Sequence, residues 1–268
     1  MMARIAIVWV IMDQIPHVLA CDVGNSGIHF AYVRGDRVDA VHVLRMGELA
    51  GLGERLMEVW SQMPAPRKIV AASVNPTGLK ALEAAAADTL HEGVLVIGKD
   101  LPLPIETALA DPERIGVDRL CCAVAAFDRL GVACVVADFG TAVTIDYVND
   151  QGVFMGGAIL PGLHMGARGL SAHTAQLPEV ELRRPDWVLG ANTEQAIISG
   201  LVFGAQGALR ELVEAYATEA GHWPIVILTG GDAHLICPDP NASDLVQAVV
   251  PDLVLRGVAI AYYKTLLK

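Results

Sequence analysis

The stretch CDVGNSGIHF, Cys21–Phe30, places a carboxylate, two glycines and small polar side chains directly after an apolar run. The apolar residues on either side of the polar centre predict two strands, His17–Asp22 and Ile28–Val33, joined by a polar corner. A turn at Arg34–Arg37 leads into a third predicted strand, Val38–Leu44. The sequence therefore predicts a strand meander whose first corner carries an acid.

A second segment, Val135–Leu160, has the sequence VVADFGTAVTIDYVNDQGVFMGGAIL and repeats this layout. Its strands, corner and turn are predicted, in chain order, at Val135–Asp138, Phe139–Thr141, Val143–Val148, Asn149–Gly152 and Val153–Leu160. The aligned pairs are Asp22 with Asp138, Gly24 with Gly140, and Asn25 with Thr141. Two copies of one layout indicate an internal repeat, against the alternative that both corners are ordinary turns.

Each corner combines a glycine with hydroxyl or amide side chains, which favours binding of an anion. Backbone N–H groups at a glycine can approach phosphate oxygens closely, and neighbouring side chains add donors. Asp22 and Asp138 would repel phosphate unless a cation lay beside them. The two acidic corners therefore predict a cation next to a polyphosphate, and together they predict a clamp on ATP with one corner in each lobe.

The composition is that of a folded α/β protein. The chain has 268 residues, of which 53% are hydrophobic and 18% charged, enough for two lobes of ordinary size. The net charge of −11, with no basic cluster longer than Arg183–Arg184, argues against a nucleic-acid partner. The five cysteines show no CxxC spacing and predict reduced thiols in a cytoplasmic protein.

The first residues raise the alternative of an export signal. The run Ile5–Met12 resembles a short signal core, and Val18–Cys21 resembles a lipoprotein cleavage site. Polar residues end the run after Met12, so it is far too short to span a membrane. We therefore expect no membrane partner and interpret residues 1–15 as a loosely ordered extension or an upstream start.

Apolar periodicity predicts the other main elements. Helices are indicated at Arg119–Leu130 and Asn192–Ala220, the second capped by Asn192 or Thr193 and ended by Gly221. The remaining predictions are a buried strand at Pro224–Leu228, a last helix after Asp252, and a loop containing His164 and His173, which lack ligand spacing with a nearby acid or cysteine.

Seven segments carry a family resemblance by their order and spacing: DVGNSGIHF, GVDR, DFGTAVTID, GGAILPGL, GANTEQAIISG, LTGGDA and PDLVLRG. Together they resemble type III pantothenate kinases over roughly residues 18–260, with high joint specificity. That family belongs to the acetate and sugar kinase, heat-shock ATPase and actin superfamily. The resemblance implies an α/β fold of two duplicated ribonuclease-H-like, actin-like ATPase lobes with a nucleotide cleft between them.

The resemblance also implies a domain organisation. We place the N-terminal lobe at residues 1–130 and the C-terminal lobe at residues 131–268, joined near residues 110–132. The last helix is expected to pack at the junction. A homodimer is implied as well, and the long helix from Asn192 is a candidate surface for it.

The activity that the resemblance implies is ATP-dependent phosphorylation of pantothenate to 4′-phosphopantothenate, the first step of coenzyme A biosynthesis. It implies Asp118 as proton acceptor, Asp138 as ligand of potassium or ammonium, and magnesium bound with the nucleotide. The implied ATP contacts are Asp22, Val23, Gly24, Asn25, Ser26, Gly27, Ile28, His29 and Thr141. The implied pantothenate contacts are Gly116, Val117, Asp118, Arg119 and Thr193.

The chemistry of two of these residues is consistent with those roles. Asp118 lies just before an apolar-periodic helix, where the helix N-terminus favours an ionised carboxylate that can act as a base. The alternative for Asp118 taken alone is a helix cap. Arg119 can pair with the pantothenate carboxylate through its planar donors, and its alternative is a surface salt bridge.

Two positions depart from the family pattern. His29 stands where many relatives carry Lys, so a fixed charge becomes a titratable one. Leu109 stands where the family usually has Tyr, which removes or replaces a hydrogen bond to substrate. Two other functions therefore stay open: a nucleotide-binding regulator of the same family, and a sugar or acyl kinase of the same superfamily.

Overall fold

The structure, a computed structural model, describes residues 16–267, so the extension predicted at residues 1–15 lies outside the described residues. Its strands form two six-stranded sheets. In chain order the strands are β1 (His17–Val23), β2 (Gly27–Arg34), β3 (Arg37–Val38), β4 (His42–Arg45), β5 (Arg67–Ser73), β6 (Val94–Val96), β7 (Glu106–Thr107), β8 (Cys134–Phe139), β9 (Ala142–Val148), β10 (Val153–Pro161), β11 (Ile225–Thr229) and β12 (Ala248–Val249).

Helices follow most of the strand groups. In chain order they are α1 (Leu52–Trp60), α2 (Pro76–Ala85), α3 (Val117–Leu130), α4 (Leu163–His173), α5 (Thr193–Ala220), α6 (Ala233–Ile236) and α7 (Leu253–Leu266). Short 3-10 turns lie at Met46–Gly51, Pro112–Arg114 and Pro240–Ala242, and a π turn extends α2 at Ala86–Leu90. The predicted helices are confirmed, with α3 beginning two residues earlier than expected.

The chain folds into two units. The first unit contains the described residues up to Pro104, then Ile115–Ala125, and the described residues from Val254 onward. The second unit contains Ile105–Arg114 and Ala126–Leu253. Each unit is therefore built from segments that are distant in sequence.

The first unit carries the sheet with strand order β3-β2-β1-β5-β6, in which β4 also pairs with β2. Alternate side chains of β1 face opposite layers, as expected for a strand. Leu19 and Cys21 pack in one cluster with side chains of α1 and α2. Val18 and Ala20 pack on the other face with side chains of α3 and α7. This two-sided burial explains why β1 reads as a continuous apolar run.

The third strand predicted in the first meander, Val38–Leu44, is wrong. Two short strands replace it, and both pair with β2: Val38 lies opposite Val33, and His42 lies opposite Phe30. The residues between β3 and β4 are Asp39–Val41, and both Ala40 and Val41 are exposed. Because Asp is unfavourable in strands, the ladder stops there and resumes at His42.

The second unit carries the sheet with strand order β12-β11-β8-β9-β10-β7. One of its faces packs against side chains of α4, α5 and α6 in a single cluster. Helix α5 begins at the predicted cap, where the Asn192 Oδ1 accepts a hydrogen bond from the Gln195 N–H at 2.9 Å. It ends at Gly221, which has a left-handed backbone with φ of 76°. Both predicted ends of this helix are therefore confirmed.

Helix α5 is, by length and composition alone, long and apolar enough to cross a membrane. Within the second unit, however, its side chains Ile198, Leu209 and Val213 are buried in the core cluster. Packing inside the unit therefore accounts for the buried 33% of the apolar stretch of this helix.

The internal repeat is confirmed by the sheet topology. In the first unit β1 pairs antiparallel with β2 and parallel with β5. In the second unit β8 pairs antiparallel with β9 and parallel with β11. Asp22 and Asp138 are each the penultimate residue of the central strand of this arrangement. The two acids therefore occupy the same position in two copies of one strand arrangement.

The division into units differs from the single boundary predicted after residue 130. The segment Ile105–Arg114 belongs to the second unit, where β7 pairs parallel with β10. Helix α7 belongs to the first unit, where Leu255 and Val258 pack with Val18 of β1. Both assignments depend on contacts between residues more than forty positions apart in the sequence. The local periodicity of apolar residues does not predict such contacts.

Candidate active site

The first corner joins β1 to β2 within the first unit. Asp22 is half-buried at the end of β1, and the loop Gly24–Ser26 follows it. The Gly24 N–H donates to the Gly27 carbonyl oxygen at 3.0 Å, which closes the corner. Asn25 and Ser26 are exposed, so the two polar side chains of the predicted phosphate loop face solvent.

The other residues of the predicted ATP loop lie in the strands. Val23 and Ile28 are fully buried, so they can offer a ligand only backbone groups. Gly27 packs against β4, and a Cβ atom there would lie 2.5 Å from the Leu44 carbonyl oxygen. His29 lies opposite Asp22 in the β1–β2 register, which puts both side chains on one face of the sheet.

The electrostatics of His29 follow from that position. Desolvation lowers the pKa of the His29 imidazole below its ordinary value. The neutral ring is therefore favoured near pH 7, and this corner lacks the fixed charge that a lysine would supply.

The second corner joins β8 to β9 within the second unit. Asp138 is half-buried, and Thr141 is exposed at the tip of the corner. The Gly140 N–H donates to the Ala142 carbonyl oxygen at 3.1 Å, so a glycine N–H also closes this corner, with the acceptor two residues on rather than three. The two corners thus share an acid, a glycine-closed turn and an exposed polar side chain.

Two further turns pack directly on the second corner. A Cβ atom on Gly162, just before α4, would lie 2.3 Å from the Thr141 carbonyl oxygen. A Cβ atom on Gly230, after β11, would lie 2.4 Å from the Asp138 Oδ1, and Gly230 has a φ of +90°. Only glycine permits these two approaches, so three turns of the second unit meet at Asp138.

A histidine and an acid that the sequence analysis did not pair lie beside this corner. His164 and His173 were predicted in a loop, but both belong to α4. The His164 Nε2 lies 3.4 Å from the Asp232 Oδ1. The signal that could have brought Asp232 to the second corner was the order of the strands. Thr229 of β11 lies opposite Asp138 of β8, so the residues that follow the two parallel strands lie at the same edge of the sheet.

The GVDR segment lies in the first unit, at the start of α3. Asp118 is half-buried in the first turn, and its Oδ1 accepts a hydrogen bond from the Arg119 N–H at 2.8 Å. A Cβ atom on Gly116 would lie 2.4 Å from the same oxygen, so a side chain there would displace the carboxylate. The carboxylate is thus held by backbone geometry, in a manner compatible with both a cap and a base.

Asp118 and Asp22 share an electrostatic neighbour. Burial raises the pKa of the Cys121 thiol well above its ordinary value, and the charges of Asp22 and Asp118 raise it further. Both carboxylates therefore lie within electrostatic range of one thiol on α3. Asp22, predicted in the ATP loop, and Asp118, the predicted proton acceptor, thus belong to the same unit and both act on Cys121.

Two residues for which the family resemblance implies a relation to pantothenate lie in the second unit. Thr193 is the exposed first residue of α5, directly after the Asn192 cap. Leu109 packs on Gly156, whose φ is +101° and whose added Cβ would lie 3.0 Å from the Leu109 Cδ2. The Leu109 side chain therefore lies beside the backbone of β10 at Gly156 and remains exposed.

Comparison with known proteins gives a consistent result. The sequence model of the type III pantothenate kinase family matches residues 18–215. A type III pantothenate kinase from Dehalococcoides mccartyi is 30% identical over 256 residues, covering 91% of this chain and 96% of that protein. One from Geobacillus kaustophilus is 32% identical over 254 residues, covering 92% of this chain and 97% of that protein. This chain belongs to the type III pantothenate kinase family.

Among solved structures, a Campylobacter jejuni protein described as a Baf family transcriptional activator has a TM-score of 0.59 and 21% identity. It covers 93% of this chain and 100% of its own length, and at this identity the likeness shows the fold alone. The predicted fold class, with actin-like α/β lobes, is confirmed. Membership of the type III pantothenate kinase family makes the chain a kinase, and a kinase family implies the use of ATP.

The kinds of donor atom at the second corner indicate which cations it could hold. Among residues 16–267, no group of three or more His, Cys, Asp or Glu side chains could hold a metal ion. The corner offers oxygens only: the Asp138 carboxylate, the Thr141 hydroxyl and the backbone carbonyls of Gly140 and Thr141. Such oxygens suit hard cations rather than zinc or copper. The donor atoms of the second corner are therefore compatible with a hard cation, such as the potassium ion that the resemblance implies.

Proposed function

We propose that this chain transfers the γ-phosphoryl group of ATP to the hydroxyl group of pantothenate and produces 4′-phosphopantothenate, the first step of coenzyme A biosynthesis. The observation that carries the proposal is the duplicated acidic corner, closed by a glycine N–H bond in each unit of a pantothenate kinase family member. The proposal assigns polyphosphate binding to the corners and proton transfer to the start of α3.

ATP binding is assigned to both corners. Exposed Asn25, Ser26 and Thr141 donate from their side chains, while Val23, Gly24, Gly27 and Ile28 offer backbone groups. Asp22 would hold a magnesium ion bound with the nucleotide, through its carboxylate or through bound water. His29, opposite Asp22, contributes a donor without a fixed charge.

The chemical step is assigned to Asp118. The pantothenate hydroxyl oxygen forms a bond to the γ-phosphorus, the bond to the bridging oxygen breaks, and ADP leaves with that electron pair. Asp118 accepts the hydroxyl proton on a carboxylate that the Arg119 N–H holds in place. General bases contribute about 10²–10⁴-fold, and preorganised charge contributes most of the remainder in phosphoryl transfer.

Pantothenate recognition is assigned to Gly116, Val117, Asp118, Arg119 and Thr193. The Arg119 guanidinium suits a carboxylate because its planar donors can bind both oxygens. Gly116 lies so close to the Asp118 carboxylate that it has no room for a side chain, so only its backbone is available to a ligand there. The proposal includes a homodimer, as implied for this family.

Asp138 is assigned as the ligand of a potassium or ammonium ion. When bound, such an ion would offset the repulsion between the Asp138 carboxylate and the polyphosphate. The support is the oxygen-only donor set of the second corner and the position of Asp138 against Gly230. Asp138 itself fixes where that charge would lie.

The deciding experiment measures ADP release in a coupled assay with and without pantothenate. Turnover that depends on pantothenate, with a phosphorylated product of matching mass, is the expected result. A nucleotide-binding regulator is the second candidate, favoured by the fold shared with the Campylobacter jejuni protein. It would bind nucleotide and show no pantothenate-dependent turnover, whereas a sugar or acyl kinase would turn over only with its own acceptor.

A further inference from the structure

The pair formed by His164 and Asp232 joins two elements of the second unit that are distant in sequence. His164 is the second residue of α4, and Asp232 immediately precedes α6. The His164 Nε2 and the Asp232 Oδ1 are 3.4 Å apart. Neither residue takes part in the reaction as proposed above.

Backbone contacts fix both residues relative to the second corner. The turn before His164 packs through Gly162 on the Thr141 carbonyl oxygen. The turn before Asp232 packs through Gly230 on Asp138. In addition, the Asp232 N–H donates to the Phe139 carbonyl oxygen at 3.0 Å. The pair is therefore attached to the corner from two sides.

The two side chains differ in exposure. The Asp232 side chain is 13% exposed, whereas the His164 side chain is 63% exposed. The carboxylate thus lies behind, and the imidazole is the group that a ligand would meet. Burial raises the pKa of the Asp232 carboxyl, while the charges of His164 and His234 oppose that rise. A further acid, Asp138 of β8, lies close to the pair, because the turn at Gly230 that precedes Asp232 packs on the Asp138 Oδ1.

We propose that His164, held by Asp232, donates a hydrogen bond to a phosphate oxygen of the nucleotide at the second corner. A protonated imidazole donates from both ring nitrogens, so Nε2 can face Asp232 while Nδ1 faces the phosphate. The His164 imidazole also separates the Asp232 carboxylate from the anionic nucleotide. This inference rests on the proposed function, because it takes the second corner to bind ATP.

The first test compares three variants by calorimetric binding of ADP in the absence of pantothenate. His164→Gln removes the imidazole, His164→Lys supplies a cationic donor, and His173→Gln changes a histidine at the other end of α4 as a matched control. We expect His164→Gln to weaken ADP binding about 10-fold to 150-fold, as for loss of one hydrogen bond to a charged group. His164→Lys should restore most of the affinity, and His173→Gln should bind as the unaltered protein does.

The kinase assay adds a second readout. In His164→Gln the KM for ATP should rise while the KM for pantothenate stays unchanged, because only the nucleotide contact is lost. A merely structural role for His164 would shift both constants together with the melting temperature, and Lys would not restore binding.

A third variant tests the part played by Asp232. Without His164 the Asp232 carboxylate faces the phosphate uncompensated, so the double variant His164→Gln with Asp232→Asn should bind ADP more tightly than His164→Gln alone. The inference is overturned if His164→Gln binds ADP as His173→Gln does, if the double variant binds no better, or if the unaltered protein binds no ADP. Normal ADP binding without pantothenate turnover would refute the proposed function and leave this inference standing.

Discussion

At the scale of single residues, Asp118 combines a structural bond with a proposed chemical role. Its Oδ1 accepts the Arg119 N–H, and an Asn oxygen can do the same. Asp118→Asn should therefore leave the melting temperature nearly unchanged, while kcat falls about 10²–10⁴-fold through loss of the base. Steady-state kinetics and thermal unfolding measured on one preparation check both parts.

A control for this prediction lies on the same helix. Asp128 is exposed near the end of α3, and Asp128→Asn should leave turnover unchanged. If Asp118→Asn kept normal turnover and lost about 1 kcal/mol of stability, Asp118 would be a helix cap only.

Asp138 leads to a prediction about ions. Asp138→Asn keeps the shape of the side chain and removes the charge that attracts a cation, so the stimulation of activity by potassium over sodium should shrink and the KM for ATP should rise. Thermal unfolding in potassium or sodium, without substrates, gives a readout independent of turnover. Equal activity of the unaltered protein in sodium and in potassium would contradict the cation assignment.

His29 gives the pH dependence at the first corner. Its pKa is lowered by desolvation, so the folded state prefers the neutral ring. The stability that this preference contributes is present above the unfolded pKa of about 6.5 and is lost as the pH falls. His29→Lys should bind ADP more tightly than the unaltered protein at about pH 8, where only Lys is charged.

That comparison is made by ADP titration across a pH series. The advantage of Lys should narrow only at a pH well below the ordinary histidine pKa of about 6.5, because the pKa of His29 is lowered and the ring gains its proton there. A constant difference across the series would mean that charge at this position does not act on the nucleotide.

At the scale of elements, the crossing of α3 and α7 depends on one glycine. A Cβ atom on Gly257 would lie 2.0 Å from the Cys121 carbonyl oxygen, which is backbone and cannot move away alone. Gly257→Ala should therefore lower the free energy of unfolding by about 1–3 kcal/mol or more. Chemical denaturation of the two proteins measures the difference.

The matched control is Gly169→Ala in α4. An added Cβ atom at Gly169 would meet nothing within 4 Å, so the helix preference of Ala should raise stability by about 0.5–1 kcal/mol. Opposite signs for the two substitutions are expected. The same sign in both would show that the close approach at Gly257 relaxes without cost.

At the scale of the whole molecule, we expect a homodimer. The long helix α5 carries Phe203 at 37% exposure, and added Cβ atoms at Gly200, Gly204 and Gly207 would meet nothing within 4 Å. Light scattering after size exclusion should give a mass twice the 28.4 kDa of one chain. Phe203→Glu should shift this mass toward one chain if α5 forms the contact, and a monomeric unaltered protein would contradict the prediction.

The sequence by itself determined the features that depend on near neighbours. The strands around Asp22 and Asp138, the two glycine corners and the caps of α5 follow from local periodicity and backbone preference. The repeat was visible because each copy uses the same local order of strand, acid, glycine and strand. Seven short segments in one order were also enough to predict the family.

Only the tertiary structure decided which distant segments meet. The placement of β7 beside β10 and of α7 in the first unit, and the division of Val38–Leu44 into two strands, result from pairing with partners far along the chain or on β2. The contact of His164 with Asp232 likewise requires three turns to converge on Asp138. Such contacts are set by sheet order and close packing, and neither leaves a periodic signal in the residues involved.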